Sequence, residues 1–322
     1  MKAFRVSDFE QFPAFEDIVK PIPSEGQVQV RIKACGLNFA DLLMLKGQYQ
    51  ETPVPPFTPG LEISGVVTAH GPNTTGIAID TPVAVFGGAG GLAEFGVFPI
   101  DRLAPIPQGM TFETAAGFQV AYGTSHLALQ HRANLQSGET LVVLGAAGGV
   151  GLTAVEIGKL MGATVIACAR GADKLAFARA AGADHVLNTE TDNLRQAIKD
   201  LGGADVVYDP VGGDGFAQVF RACNPDARIL SIGFASGKVP EVKLNHMLVK
   251  NITLIGFYWG GYLKFAPKTL LDSMEQLMTW HSEGKLAPAI NHVFDFDDTE
   301  AALSMLRERR STGKIVIRMS GG

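Results

Sequence analysis

The chain has 322 residues, is 46% hydrophobic and 18% charged, and carries a formal net charge of −5. That length suits one large domain or two ordinary ones, and the acidic balance argues against a general nucleic-acid-binding surface. No apolar stretch reaches the roughly 18 residues that cross a bilayer. The N-terminus reads as a strand with interspersed charges rather than as a secretory signal, and Cys35, Cys168 and Cys223 are scattered without a CxxC pair. Reduced thiols in an intracellular, cytoplasmic protein are the expectation, each cysteine acting as a small buried hydrophobe.

Residues 1–117 read as β-rich. Short alternating runs at 27–33, 62–68 and 81–86 are separated by proline and glycine punctuation, including a rigid loop at Pro53, Pro55, Pro56 and Pro59 and a glycine loop at 87–91. From 118 to 256 helices and strands alternate. A strand at 141–144 precedes a helix at 149–161 and a strand at 163–169. Helices at 174–181, 193–201 and 215–222 then alternate with strands at 185–187, 205–209 and 228–232. That order predicts an α/β domain with a parallel, doubly wound sheet covered on both faces. Residues 257–322 carry helices at 267–283 and 299–309 and a final strand at 313–318. No internal repeat or low-complexity segment interrupts the pattern.

The most informative stretch is Leu141-Val-Val-Leu-Gly-Ala-Ala-Gly-Gly-Val-Gly151. An apolar strand ends in a glycine-rich turn and a helix begins at once, the arrangement of a Rossmann dinucleotide-binding unit. Ala146 stands in the place of the usual first glycine, Gly148 lets backbone approach a pyrophosphate, and Gly151 lets the helix pack close to the strand. The N–H groups of Gly149, Val150 and Gly151 open the helix, where backbone donors and the helix dipole favour phosphate.

The next strand tip bears on which dinucleotide binds. A carboxylate there, roughly 20 residues on, would hold a ribose 2′-hydroxyl. This chain has Cys168-Ala169-Arg170-Gly171, with Lys174 one turn further along. Two cations suit a 2′-phosphate and predict NADPH, with Lys174 alternatively a solvated surface charge.

The layout resembles the medium-chain dehydrogenase/reductase superfamily over nearly the whole chain. The resemblance implies a GroES-like catalytic domain (1–117), a Rossmann domain (118–256) and a C-terminal return to the catalytic domain (257–322). Zinc members place ligands in segments that here read Ala34-Cys35-Gly36-Leu37-Asn38 and Pro59-Gly60-Leu61-Glu62. The ligand positions hold Asn38 and Leu61, an amide and a hydrocarbon, so no metal is expected. The four-cysteine structural-zinc lobe is missing as well.

Within the superfamily the chain is similar to the zinc-free NADPH:quinone oxidoreductases of the zeta-crystallin branch. The similarity rests on Gly36–Leu42, Lys46–Tyr49, Pro59–Glu62, Ala121–Thr124, the glycine turn, Tyr208–Gly213, Ile232–Gly237 and Ile255–Tyr262. It implies hydride transfer to a quinone, whose ring delocalises the incoming charge. By that resemblance Asn38, Asp41 and Tyr49 line the acceptor side. Asn38 is the expected hydrogen-bond donor, Tyr49 a donor or stacking ring, and Asp41 a catalytic group or, in the plainer reading, a cap on the same turn. Tyr122 and Thr124 are implied to approach the cofactor, Tyr122 alternatively packing between domains. The Gly233–Phe234 backbone is implied to hold the carboxamide. Phe257, Tyr258 and Trp259 are an expected aromatic wall or, equally, packing residues. Lys314 is assigned to a basic surface. Relatives often carry an aromatic where this chain has Asn188-Thr189, so adenine stacking there is not expected.

Two other activities remain open on the sequence. One is NADPH-dependent reduction of an α,β-unsaturated carbonyl, whether alkenal, enone or enoyl thioester. The other is a non-enzymatic NADPH-binding structural or RNA-binding role, against which the acidic balance argues. The resemblance also implies a homodimer joined near the strand at 252–255.

Overall fold

The computed structural model describes residues Met1–Met319. In chain order the strands are β1 (Lys2–Arg5), β2 (Ala14–Asp17), β3 (Gln27–Leu37), β4 (Glu62–His70), β5 (Pro82–Phe86), β6 (Phe95–Pro99), β7 (Leu103–Pro105) and β8 (Thr140–Leu144). They continue as β9 (Thr164–Ala169), β10 (His185–Asn188), β11 (Ala204–Asp209), β12 (Cys223–Ser231), β13 (Thr253–Gly256), β14 (Ile290–Asp295) and β15 (Lys314–Arg318). The helices are α1 (Phe39–Met44), α2 (Phe112–His126), α3 (Gly149–Leu160), α4 (Gly171–Ala180), α5 (Leu194–Asp200) and α6 (Gly213–Ala222). Then come α7 (Leu244–Leu248), α8 (Tyr262–Phe265), α9 (Pro267–Ser282) and α10 (Thr299–Arg307).

The chain forms two compact units. The first comprises Met1–Val120 together with the segment from Pro288 onward, and the second is Ala121–Ala287. The sequence boundaries at 117 and 256 differ from these. The chain passes between units inside α2, and α8 and α9, which the sequence assigns to the C-terminal return, belong to the second unit. Helix α2 itself lacks an amphipathic signature, because Ala115–Gln119 and Ala121–His126 are all buried.

In the first unit a seven-stranded sheet runs β14-β15-β3-β4-β5-β7, with β6 also paired to β3. All pairings are antiparallel except β14 with β15. The 11-residue β3 is the spine, pairing β4 along nearly its whole length, β6 along its first part and β15 along its last. One core contains Val28, Val30, Ile32, Ile63, Val85 and Ile317. A smaller cluster of Ala34, Ala116 and Val316 packs α2 onto the sheet. The helix comes so close that a side chain at Gly36 would overlap the carbonyl oxygen of Ala116.

The second unit is a six-stranded parallel sheet in the order β10-β9-β8-β11-β12-β13. Its central strands are apolar and buried, as parallel strands covered on both faces must be. The strand order reverses direction between β8 and β11. In such sheets ligands bind at that switch point, outside the carboxyl ends of the strands.

Candidate functional site

In the first unit, a buried polar cluster gathers around Asn38. This residue caps α1, and the capping box sets its direction. The Asp41 carboxylate accepts the Asn38 backbone N–H at 2.7 Å and the Gly60 N–H at 3.2 Å. Asp41 is fully buried, and burial pushes its carboxyl up to about 7. Its geometry is that of a group holding the turn.

The Asn38 side chain is bonded on every side. Its Nδ2 donates to Glu62 Oε1 at 2.9 Å and, over a longer 3.3 Å, to Gly36 O. Its Oδ1 accepts from Lys314 Nζ at 2.8 Å. The same ammonium donates to Glu62 Oε1 at 2.6 Å and to Leu37 O at 2.9 Å. The second Glu62 oxygen accepts the Val120 backbone N–H at 2.9 Å. Lys314 is only 5% exposed and Glu62 is fully buried, so Lys314 is not part of a basic surface. Strand pairing puts it there, because Ile315 lies opposite Leu37 in the β15–β3 register.

Glu62 and Lys314 are therefore the residues that sequence reasoning passed over. A charged residue at the first position of a strand, followed directly by an apolar one, was the available signal in both cases. Tyr49 lies beyond α1, half-buried, where its backbone N–H meets Thr52 Oγ1 at 3.2 Å. Leu61 is buried and hydrocarbon, unable to ligate a metal. Among the described residues no group of three or more His, Cys, Asp or Glu side chains is placed to hold a metal ion.

In the second unit, the glycine turn joins β8 to α3 at the switch point. The left-handed residue of the turn is Gly145, at φ 60°, whereas Ala146 is a fully buried wall residue. Gly145, not Ala146, thus occupies the tight-turn position. Gly148 is the N-cap of α3. A side chain at Gly151 would overlap Gly145 O and lie 2.8 Å from Ala146 Cα, so α3 rests directly on the turn. At Gly148 a Cβ would meet nothing nearer than Gly145 O at 3.4 Å. The protein itself tolerates a side chain at that point, so the bare backbone there leaves space for a ligand. The N–H groups of Gly149, Val150 and Gly151 open the helix without intrahelical acceptors, which fits a pyrophosphate.

Arg170 directly follows β9 as the exposed N-cap of α4, with half-buried Lys174 in the first turn of that helix. The backbone N–H of Gly171 donates to Asn188 Oδ1 at 3.3 Å. At the end of β11, Asp209 accepts the N–H groups of Val211 and Gly212 at 2.7 and 2.9 Å. Burial raises its carboxyl. The loop after β12 is zipped to this one, with the Gly233 N–H on Asp209 O at 3.3 Å and the Ala235 N–H on Pro210 O at 3.1 Å. Gly233 therefore has its own N–H committed, while the Phe234 side chain is 40% exposed.

Tyr122 and Thr124 are both buried. The Tyr122 hydroxyl donates to Glu156 Oε2 at 2.6 Å, an interaction within the unit. Between them, a side chain at Gly123 would come 2.6 Å from Trp259 Nε1, so the indole lies against that glycine. Tyr258 packs on Gly260 and Gly261, and Phe257 stands 5.7 Å from the Tyr262 ring.

This pairing of a sheet domain carrying a capped polar turn with a switch-point glycine turn defines a medium-chain dehydrogenase/reductase. Residues 24–108 match the alcohol dehydrogenase GroES-like domain, and residues 149–283 match the family described as zinc-binding dehydrogenase. A quinone oxidoreductase-like protein 2 homolog of Nematostella vectensis is 39% identical, the match covering 90% of this chain and 81% of that one. The human synaptic vesicle membrane protein VAT-1 homolog is 30% identical, over 92% of this chain and 80% of that one. The quinone oxidoreductase of Thermus thermophilus, solved also in complex with NADPH, superposes with a TM-score of 0.88. Its identity is 32%, over 99% of this chain and 100% of that one. The chain belongs to the quinone oxidoreductase family of medium-chain dehydrogenase/reductases, and as such to the oxidoreductases.

Proposed function

We propose that the protein is an NADPH-dependent oxidoreductase that reduces a quinone and uses no metal to do so. The observation that carries the cofactor half is the glycine turn at the switch point of the parallel sheet, with its bare backbone at Gly148. The NADPH complex of the Thermus thermophilus relative supports it, as does Arg170 at the β9 tip, where a carboxylate would favour NADH. The N–H groups of Gly149, Val150 and Gly151 bind the pyrophosphate, and Arg170 with Lys174 binds the 2′-phosphate. Bound NADPH supplies a hydride. Backbone groups of Gly233 and Phe234 other than the Gly233 N–H take the carboxamide, alongside the Tyr122–Thr124 backbone.

For the acceptor, the names of the relatives favour a quinone, and the residues suit it. Charge that develops on the quinone oxygen meets the Asn38 Nδ2–H now on the 3.3 Å bond to Gly36 O, the weaker and more exchangeable of its two bonds. Tyr49 gives a second donor or a stacking ring. Asp41 acts by holding the turn.

The protein also forms a homodimer in this reading. β13 is the edge of its sheet, Leu254 on it is 42% exposed, and the neighbouring Leu248 and Val249 are 75% and 74% exposed. An apolar open edge of that kind favours strand pairing with a second copy. Light scattering that returned a monomer would remove the dimer.

The acceptor is tested by anaerobic NADPH oxidation with an ortho-quinone, an alkenal and an enoyl thioester at matched concentration. A quinone preference above about tenfold in kcat/KM, roughly 1.4 kcal/mol, is the expected result. Preference for either alkene overturns the quinone and keeps the cofactor. No turnover with any of the three, despite tight NADPH binding, overturns the enzyme.

A further inference from the structure

The Asn38 amide has two faces of nearly the same shape, one that accepts hydrogen bonds and one that donates. Only its neighbours decide which is presented. Here one neighbour is a pure donor, the Lys314 ammonium, 2.8 Å from Oδ1. The other is a carboxylate, Glu62, 2.9 Å from Nδ2. Lys314 spends its donors on Leu37 O, Asn38 Oδ1 and Glu62 Oε1, so nothing in this arrangement directs it to a ligand. A buried, hydrogen-bonded ion pair of this kind is a poor source of stability, since desolvation consumes most of the attraction, but it fixes orientation.

We propose that Lys314 is a positioning residue. Its ammonium pins the Asn38 amide oxygen inward, so that the amide meets the acceptor with an N–H and never with its oxygen. The proposal rests on the acceptor-side role given to Asn38 above. Lys314 itself, 5% exposed, touches neither cofactor nor acceptor in this account. Its effect on turnover passes entirely through Asn38. Without the ammonium, Oδ1 loses its donor and the amide is held only through Nδ2, by Glu62 Oε1 and the longer bond to Gly36 O, so its N–H is aimed less firmly at the developing charge.

The test is a double-mutant cycle on kcat/KM for the quinone, with NADPH affinity measured separately by fluorescence titration. Lys314→Met is expected to lower kcat/KM by about 10- to 100-fold and leave the NADPH dissociation constant within about twofold. In an Asn38→Ala background the same substitution is expected to change kcat/KM by less than about twofold, because the group through which it acts is gone. A merely structural lysine gives the opposite pattern: the two losses multiply, and that result overturns the proposal, as does an undiminished Lys314→Met. Lys314→Met strands the buried Glu62 carboxylate. If that variant does not fold, Lys314→Met with Glu62→Gln removes both charges, and the same cycle is run on the pair. If Asn38→Ala alone leaves kcat/KM unchanged, the acceptor role of Asn38 fails first and the proposal falls with it. If Asn38→Ala is impaired and the losses multiply, only the proposal fails.

Discussion

Tyr122 and Glu156 form a closed pair, the phenol donating to Oε2 at 2.6 Å while Oε1 accepts the Ala287 backbone N–H at 2.6 Å. One carboxylate thus ties α2 and α3 to the end of the second unit. Tyr122→Phe removes a hydrogen bond to a charged acceptor. It should cost about 1.5–3 kcal/mol of stability, read as a lower midpoint in urea. The NADPH dissociation constant should stay within about twofold, and a tenfold loss would restore the hydroxyl to the cofactor site.

The two glycines of the turn answer to different constraints. Alanine at Gly151 gains under about 1 kcal/mol of helix propensity but runs into the backbone of Gly145 and Ala146. Overpacking against backbone costs about 1–3 kcal/mol, so the clash wins and both stability and NADPH binding should fall. Alanine at Gly148 meets only ordinary contact within the protein. Its thermal midpoint should hold while NADPH affinity drops at least about tenfold, because a methyl group enters the space for the pyrophosphate. Equal loss of stability in the two variants would contradict this division.

Arg170→Glu replaces the cation at the β9 tip with a carboxylate, the group that suits a 2′-hydroxyl and repels a 2′-phosphate. The ratio of kcat/KM for NADPH over NADH should invert. An enzyme that still favours NADPH would take Arg170 out of the recognition.

His126 should set part of the acid limb of stability. Its Nδ1 is bonded to Ser273 Oγ at 2.7 Å, its ring meets Trp280 edge-on, and its Nε2 finds no partner among the described residues. Burial lowers it from 6.5 to about 4. The folded state holds the neutral ring while the unfolded chain takes up the proton. The contribution is therefore present above pH 6.5 and is lost as pH falls toward 4. At about 1.4 kcal/mol per unit the swing is up to about 3 kcal/mol. In urea titrations across that window, His126→Phe should flatten the slope of stability against pH, whatever it does to absolute stability. An unchanged slope would assign the acid limb elsewhere.

Local pattern reaches far into this fold. Apolar runs of strand length alternating with helices announce the parallel sheet, and the glycines before α3 announce its ligand-binding turn, because both depend on backbone freedom and burial within one short segment. Helix α2 is illegible for the complementary reason: buried nearly all round, it has no polar face to give it a period. The turn also shows the limit of pattern, since both Gly145 and Ala146 stand in the string and only the backbone angle of 60° shows which one turns the chain.

By itself, then, the sequence determined the parallel sheet of the second unit, the glycine turn, the cation at the β9 tip and the hydrocarbon at Leu61. Each follows from residue type and short-range spacing. Only the tertiary structure decided which groups Asn38, Tyr122, Gly123 and Lys314 touch. Lys314 reaches Asn38 from 276 residues away through the β15–β3 register, and Trp259 comes from far along the chain to lie on Gly123. Whether a charged side chain meets water or a buried partner depends on which strand lies beside it, and that pairing is a property of the folded sheet.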